Sequence, residues 1–332
     1  MKLSLPEYSI YLNNNELNNL GKHIKSFYYG KRLFIITDEN VYKLYQTKVN
    51  ELLSDFLIEW VVITPGEQSK SMQCYLKVID QLLNLKINRK HFVVALGGGV
   101  VGDLAGFVCA TLLRGLPYIQ VPTTLLAMVD SSIGSKVGIN TEVGKNILGA
   151  FYAPKRVVID PLFLETLPQI EYINGMAETI KAGLIGNKKL YNHFLDRDKV
   201  DEQQIIEAIK VKRKLVLIDP KEQYERMLLN FGHTFGHAIE KRFNYAILHG
   251  QAVAHGMIME LQIGVKNGWS INIVDELTKI LKRIGLITQD LNYQDYLGDI
   301  VNDKKIFDDG LSFICIENIS KAYVRKLDIN KL

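Results

Sequence analysis

Between Arg32 and Ile159, five short runs of β-branched and aromatic residues recur, separated by stretches too long for hairpins. They are Arg32–Thr37 (RLFIIT), Leu57–Ile63 (LIEWVVI), Phe92–Leu96 (FVVAL), Tyr118–Val121 and Val157–Ile159. Between two of them, Ser71–Leu85 sets Met72, Tyr75, Leu76, Ile79, Leu82 and Leu83 at the spacing of an amphipathic helix. Strands alternating with such helices form βαβ units and a mostly parallel sheet. After about Pro168 the period changes. Residues 171–290 read as successive helices, around Ala177–Ile185, Glu202–Leu217, Arg226–Arg242, Gly250–Lys266 and Val274–Ile284. The expected architecture is an α/β N-terminal domain with a Rossmann-like sheet, residues 1–168, followed by an all-α C-terminal domain, residues 169–332.

A chain of 332 residues, 47% hydrophobic and 23% charged, has enough apolar material for two cored domains. Forty Lys and Arg against 36 Asp and Glu leave a formal charge of only +4. That argues against a nucleic-acid partner and suits a small anionic substrate. Cys74, Cys109 and Cys315 are odd in number, far apart and without a CxxC pair, so a reducing compartment is expected. The opening MKLSLPEYSIYLNNN lacks a signal-peptide run, and no stretch reaches the ~18 apolar residues of a membrane span. A cytoplasmic enzyme without membrane association is the expectation.

The strongest local motif is Phe92–Asp103, FVVALGGGVVGD: an apolar strand, Gly97-Gly98-Gly99, Gly102, then a helix from about Asp103. Gly97, Gly99 and Gly102 spell GxGxxG, which lets a diphosphate approach N–H groups at a helix N-terminus. The turn follows the third or fourth strand, not the first. The next acidic residue after Asp103 is Asp130, 27 positions on (130 − 103), where about 20 is usual for a ribose ligand. The motif reads as a nucleotide site in a non-standard position, against the alternative of glycines that serve packing alone.

Asn230–Glu240, NFGHTFGHAIE, sets His233 and His237 at i, i+4, close enough on a helix to share a metal or a substrate. His249 follows at the start of the next helix, and four of the seven histidines fall between 233 and 255. HExxH is absent, which disfavours a zincin protease. A His₂-carboxylate centre also needs an acid. Glu178 in MAETIKA is a candidate, with a plain surface pair to Lys181 as the alternative. Arg226 and Asn230 are expected on the same helix as the histidines, Arg226 two turns before His233. Gln120–Asn146 is rich in glycine and hydroxyls and carries Thr123, Thr124, Asp130, Lys136, Lys145 and Asn146, which suits a loop holding phosphate or hydroxyl groups.

Taken together, GGGVVGDLAGF, VPTTLLAMVDSSIGSK, GKNILGAFY, MAETIKAGLI, LNFGHTFGHAIE and LHGQAVAHGM resemble, in order, the motifs of the 3-dehydroquinate synthase family, from about residue 30 to the DKK at 303–305. The resemblance implies a dehydroquinate synthase-like fold and a lyase of the shikimate pathway, on the route to chorismate and the aromatic amino acids. Such an enzyme converts 3-deoxy-D-arabino-heptulosonate 7-phosphate to 3-dehydroquinate and phosphate. Also implied are NAD, reduced and reoxidised within each turnover, one divalent metal ion (zinc, with cobalt as an alternative) and a homodimer.

Carried over by motif, Glu178, His233 and His249 bind the metal. NAD is met by Asp38, Glu67, Lys70, Gly99, Val100, Val101, Gly102, Asp103, Thr123, Thr124, Lys136, Lys145, Phe163, Leu164, Glu165 and Thr166. Substrate-side and catalytic groups are Asp130, Lys136, Asn146, Lys181, Lys212, Arg226, Asn230, His237 and Lys304, with Arg114 reaching a neighbouring subunit. Three positions depart from the family pattern: Ser135 stands where Gly is usual, Gln251 where Glu is usual, and His255 where Ala is common. Rival readings are another sugar-phosphate cyclase and a metal-dependent polyol dehydrogenase. Lys212, Arg226 and Asn230 suit a substrate carboxylate and favour dehydroquinate synthase.

Overall fold

In the computed structural model, which describes residues 1–300 and 311–327, the chain divides into two units, Met1–Leu167 and Pro168–Leu332. The first contains β1 (Lys2–Ser4), β2 (Ser9–Leu12), α1 (Leu20–Lys25), β3 (Arg32–Asp38), α2 (Glu39–Leu52), β4 (Leu57–Ile63), α3 (Met72–Asn84), β5 (Phe92–Gly97), α4 (Gly99–Thr111), β6 (Tyr118–Pro122), β7 (Lys136–Ile139), β8 (Leu148–Phe151) and β9 (Arg156–Ile159). Seven strands form one sheet in the order β1-β2-β9-β6-β5-β3-β4, parallel except for the β1–β2 hairpin at its edge. β7 and β8 pair antiparallel on their own.

β5 is buried at every residue, which is why FVVALG runs apolar without alternation. α4 buries Val101, Leu104, Ala105, Val108 and Cys109, and approaches β7 so closely that a Cβ on Gly106 would lie 2.4 Å from Val137 Cγ1. α2 and α3 begin at side-chain caps: Asp38 accepts the amides of Asn40 and Val41, and Ser71 that of Cys74. Each Leu or Ile buried in the cluster around Phe34, Val93 and Leu104 contributes ~1.5–3 kcal/mol.

Strand order fixes where a ligand can sit. From β3 the chain adds β4 on one side and β5 on the other, so the sheet has its switch point between β3 and β5. Asp38 and Gly97 end those two strands, and open parallel sheets bind ligands in the crevice beyond such ends. The position of the glycine turn is thereby explained: it follows a strand at the switch point.

The second unit contains α5 (Gln169–Gly186), α6 (Lys188–His193), α7 (Glu202–Ile218), α8 (His233–Arg242), α9 (His249–Lys266), α10 (Val274–Ile284), β10 (Leu311–Asn318) and β11 (Lys321–Leu327). It is helix-rich, and the β10–β11 hairpin adds strands to a domain read from sequence as all-α. Phe313, Ile314, Cys315 and Ile316 are all buried, so the strand carries no alternation to betray it. No helix among the described residues is long and apolar enough to cross a membrane.

The helix expected over Arg226–Arg242 is two elements. A tight 3₁₀ turn covers Glu225–Asn230, the chain breaks at Phe231–Gly232, and α8 starts at His233. Gly232 has φ +80°, and a Cβ there would lie 2.7 Å from both Val253 O and Met257 Cγ. The close passage of α9 forces the break. Arg226 and Asn230 therefore do not share a helix with the histidines.

Candidate active site

Three helices of the second unit converge on Glu178. α8 and α9 cross backbone to backbone, since a Cβ on Gly256 would fall 1.9 Å from Gly232 O. The start of α9 is tied to α5: Gly250 N–H donates to Asn174 Oδ1 at 2.6 Å, one turn before Glu178. His233 opens α8 and His249 opens α9, so both rings arrive beside the carboxylate.

Glu178 Oε1 lies 3.7 Å from His233 Nε2 and 3.5 Å from His249 Nε2, and one ligand atom from each residue lies within 4.8 Å of the others. These separations exceed good hydrogen bonds and approach the roughly 3.4 Å between ligands of a tetrahedral ion with bonds of about 2.1 Å. Oε1 is buried and makes no hydrogen bond to a described residue. Lys181 meets only the other oxygen, and a buried carboxylate oxygen left without a partner is costly unless a further donor or cation completes it. The three residues fit a divalent ion.

Burial pushes the Glu178 carboxyl up, but Lys181 and His249 outweigh it and hold its pKa at about 2. Burial drives His249 down, and the carboxylates of Glu178 and Glu240 reverse this, raising it to about 9. Lys181 is no surface partner. It is buried, pairs with Glu178 Oε2 and donates to Leu229 O at 2.5 Å. His237 stands with its ring 5.4 Å from that of His233, within the cluster but outside the converging triad.

Arg226 is fully buried, its Nη1 donating to Pro220 O at 2.6 Å and its Nε 3.8 Å from Glu222 Oε2. Asn230 Nδ2 donates to Glu222 Oε1 at 2.9 Å. Asp219 organises this loop by accepting the amides of Gln223, Tyr224 and Arg226. Lys212, on α7, is buried. Lys304 lies outside the described residues. His255 is buried on α9, and burial holds its pKa at about 4.

In the first unit, α4 begins at Gly99, four residues before the start read from sequence. Gly98 at its N-cap provides no side-chain acceptor, so the amides of Gly99, Val100 and Val101 form an anion-accepting first turn. None of Gly97, Gly98, Gly99 or Gly102 has a positive φ. Their missing side chains serve space: a Cβ would lie 2.6 Å from Val101 Cβ at Gly97, 2.9 Å from Thr124 Cγ2 at Gly98 and 3.0 Å from Ser131 Oγ at Gly99. Packing and an open helix end are satisfied together. An NAD diphosphate fits that end.

Around it, Lys70 Nζ pairs with Asp103 Oδ2 at 2.6 Å. Asn140 Nδ2 donates to Glu67 Oε1 at 2.7 Å, and Asn140 Oδ1 accepts the amide of Asn146, which fastens the loop carrying Lys145. Thr123 N–H donates to Gly97 O, and Thr124 Oγ1 accepts the amide of Ala127. Asp38 spends Oδ1 on the cap of α2, and burial raises its pKa. Asp130 sits in a single wide turn, Ala127–Ser131, and Lys136 opens β7. Leu113 and Arg114 have consecutive positive φ values, 54° and 65°, a strained presentation of the arginine.

Phe163, Leu164, Glu165 and Thr166 lie on or next to the turn Pro161–Glu165. Sequence reasoning missed what holds it. Asp160 accepts the amides of Leu162, Asn15 and Leu17, while the Tyr45 ring packs edge-on against Phe163 and its hydroxyl meets Thr166 Oγ1 at 2.5 Å. An Asp before a Pro is a helix-start signal that would have pointed to Asp160. Also missed was Glu240, the buried carboxylate beside His249.

The fold is that of sugar-phosphate cyclases. The structure of 2-epi-5-epi-valiolone synthase from Streptomyces hygroscopicus, with NAD+ and Zn2+ bound, aligns over 99% of this chain and 95% of that one, with TM-score 0.87 and 24% identity. That of 2-deoxy-scyllo-inosose synthase, complexed with carbaglucose-6-phosphate, NAD+ and Co2+, aligns over 99% and 97%, with TM-score 0.85 and 23% identity. Within that class, the family model for the 3-dehydroquinate synthase N-terminal region matches residues 60–174, and the C-terminal one residues 175–306. The 3-dehydroquinate synthase of Thermoanaerobacter pseudethanolicus is 40% identical over 96% of this chain and 93% of its own length. The chain belongs to the 3-dehydroquinate synthase family.

Proposed function

We propose that this protein converts 3-deoxy-D-arabino-heptulosonate 7-phosphate to 3-dehydroquinate and phosphate, with NAD and zinc as its cofactors. The observation that carries the reading is the convergence of Glu178, His233 and His249 from three helices, in a member of this family. When bound, NAD supplies a reversible hydride acceptor and the metal a Lewis acid at the hydroxyl being oxidised.

The chain's own groups bind and orient. The amides of Gly99, Val100 and Val101 take the dinucleotide diphosphate, with Gly102, Asp103, Thr123, Thr124 and Lys145 around it. Asp38, Glu67, Lys70 and the Phe163–Thr166 turn hold the rest of the nucleotide. Lys181, Lys212, Arg226 and Asn230 meet the substrate's carboxylate and phosphate. Asp130, Lys136, Asn146, Arg114 and Lys304 complete the substrate contacts, and His237 relays a proton. Bound NAD would supply the transient oxidation that acidifies the neighbouring C–H, so that phosphate could leave with its own oxygen taking the proton, and would return the hydride before ring opening and aldol closure. The same reading makes the protein a cytoplasmic homodimer, in keeping with three free cysteines.

The test is to supply the heptulosonate phosphate, NAD and zinc, then follow phosphate and NADH together. Phosphate release without net NADH is expected. Net NADH with phosphate retained would mean a polyol dehydrogenase. Turnover of a different phosphorylated sugar alone would mean another cyclase.

A further inference from the structure

His249 lies between two carboxylates. Its Nε2 faces Glu178 Oε1 at 3.5 Å, and its Nδ1 lies 3.4 Å from Oε1 of Glu240, a residue of α8 that is 1% exposed. His233 follows the same plan with a neutral partner, its Nδ1 lying 3.3 Å from Phe231 O. An acceptor at Nδ1 keeps one ring proton there, so the proton that an incoming ion displaces is the one on Nε2, the nitrogen facing Glu178. Both histidines are therefore oriented from behind, one by a backbone carbonyl and one by a buried acid.

We infer that Glu240 is a positioning residue of the metal centre: its carboxylate holds His249 in the Nδ1–H tautomer and makes Nε2 a stronger ligand. The inference rests on the reading that Glu178, His233 and His249 hold a divalent ion. A single helix does two jobs in this arrangement. α8 delivers His233 at its first residue and, two turns on, the acid that orients His249 on α9. The crossing at Gly232 and Gly256 keeps the two helices close enough for Glu240 to reach.

Metal-free wild type, Glu240→Gln and Glu240→Ala are titrated with zinc against a chromophoric chelator, alongside His249→Ala. Wild type should bind one ion per chain, and His249→Ala should lose most of that affinity. Glu240→Ala should weaken binding about 100-fold, and Glu240→Gln, near-isosteric and still able to accept the Nδ1 proton, about tenfold. Nitrogen-resolved NMR of the zinc-loaded wild type should place the His249 proton on Nδ1. Wild-type binding with both Glu240 variants within twofold would overturn the inference. If the alanine variant does not fold, unchanged affinity in Glu240→Gln overturns it alone, and tenfold weakening supports it. Wild type that binds no ion, or an ion unaffected by His249→Ala, would overturn the underlying metal reading instead.

Discussion

His249 departs furthest from the chemistry of its residue type. An unperturbed histidine titrates near ~6.5, so the sequence alone predicts that protons displace metal only below that value. Here Glu178 and Glu240 overcome burial and raise it to about 9 in the metal-free protein. The folded pKa lies above the unfolded one. The stability that protonated His249 lends to the metal-free fold is therefore fully present below ~6.5 and lost as pH rises through about 9. An incoming ion must displace a proton throughout that window. Apparent zinc affinity should rise about tenfold per pH unit from roughly pH 7 to about 9. A flat profile there, measured by chelator competition, would show that His249 titrates at its ordinary value. Ser135 is strained for a simpler reason: its φ is +60°, where the family pattern has Gly. A left-handed L-residue costs ~1–2 kcal/mol, partly offset because Gly loses more chain entropy on folding. Ser135→Gly should raise stability by up to about 1 kcal/mol in urea unfolding. A lowered midpoint would contradict this.

The crossing of α8 and α9 sets where the proposed metal ligands His233 and His249 sit. Gly256→Ala puts a methyl where Gly232 O now sits, a 1.9 Å approach that only helix displacement can relieve. The expected result is a loss of about 1–3 kcal/mol of stability, with zinc binding weakened as well. Wild-type Tm and zinc content in that variant would show that the helices are not locked there. Sequence pattern could not locate this crossing. An isolated glycine in a helical period reads as tolerated, and the cause of the break at Gly232 lies on another helix, at Val253 and Met257. β10 was invisible for a related reason, because burial of consecutive residues erases the period-two signal.

Across the whole molecule, the parallel sheet was legible because βαβ units write both periods into one stretch of chain, from Arg32 to Ile159. The glycine turn was legible as a motif, while its placement made sense only once strand order showed the switch point at β3 and β5. The proposed metal centre was half legible. Spacing joins His233 to His237 and clustering brings in His249 at the start of the next helix, while the choice of His249 over His237 as the second proposed ligand came from the family resemblance. The carboxylate behind His249 belongs to Glu240 and not to position 251, where the family's usual Glu is Gln. No spacing rule would have found it, since it depends on how two helices cross. On the proposed reading, Glu178, His233 and His249 hold one ion. Anomalous scattering from crystals of the zinc-loaded protein, measured at the zinc edge, tests it most directly. One peak per chain is expected, at about 2.0–2.2 Å from Glu178 Oε1, His233 Nε2 and His249 Nε2. A peak held by His233 and His237, or no peak beside Glu178, would contradict it.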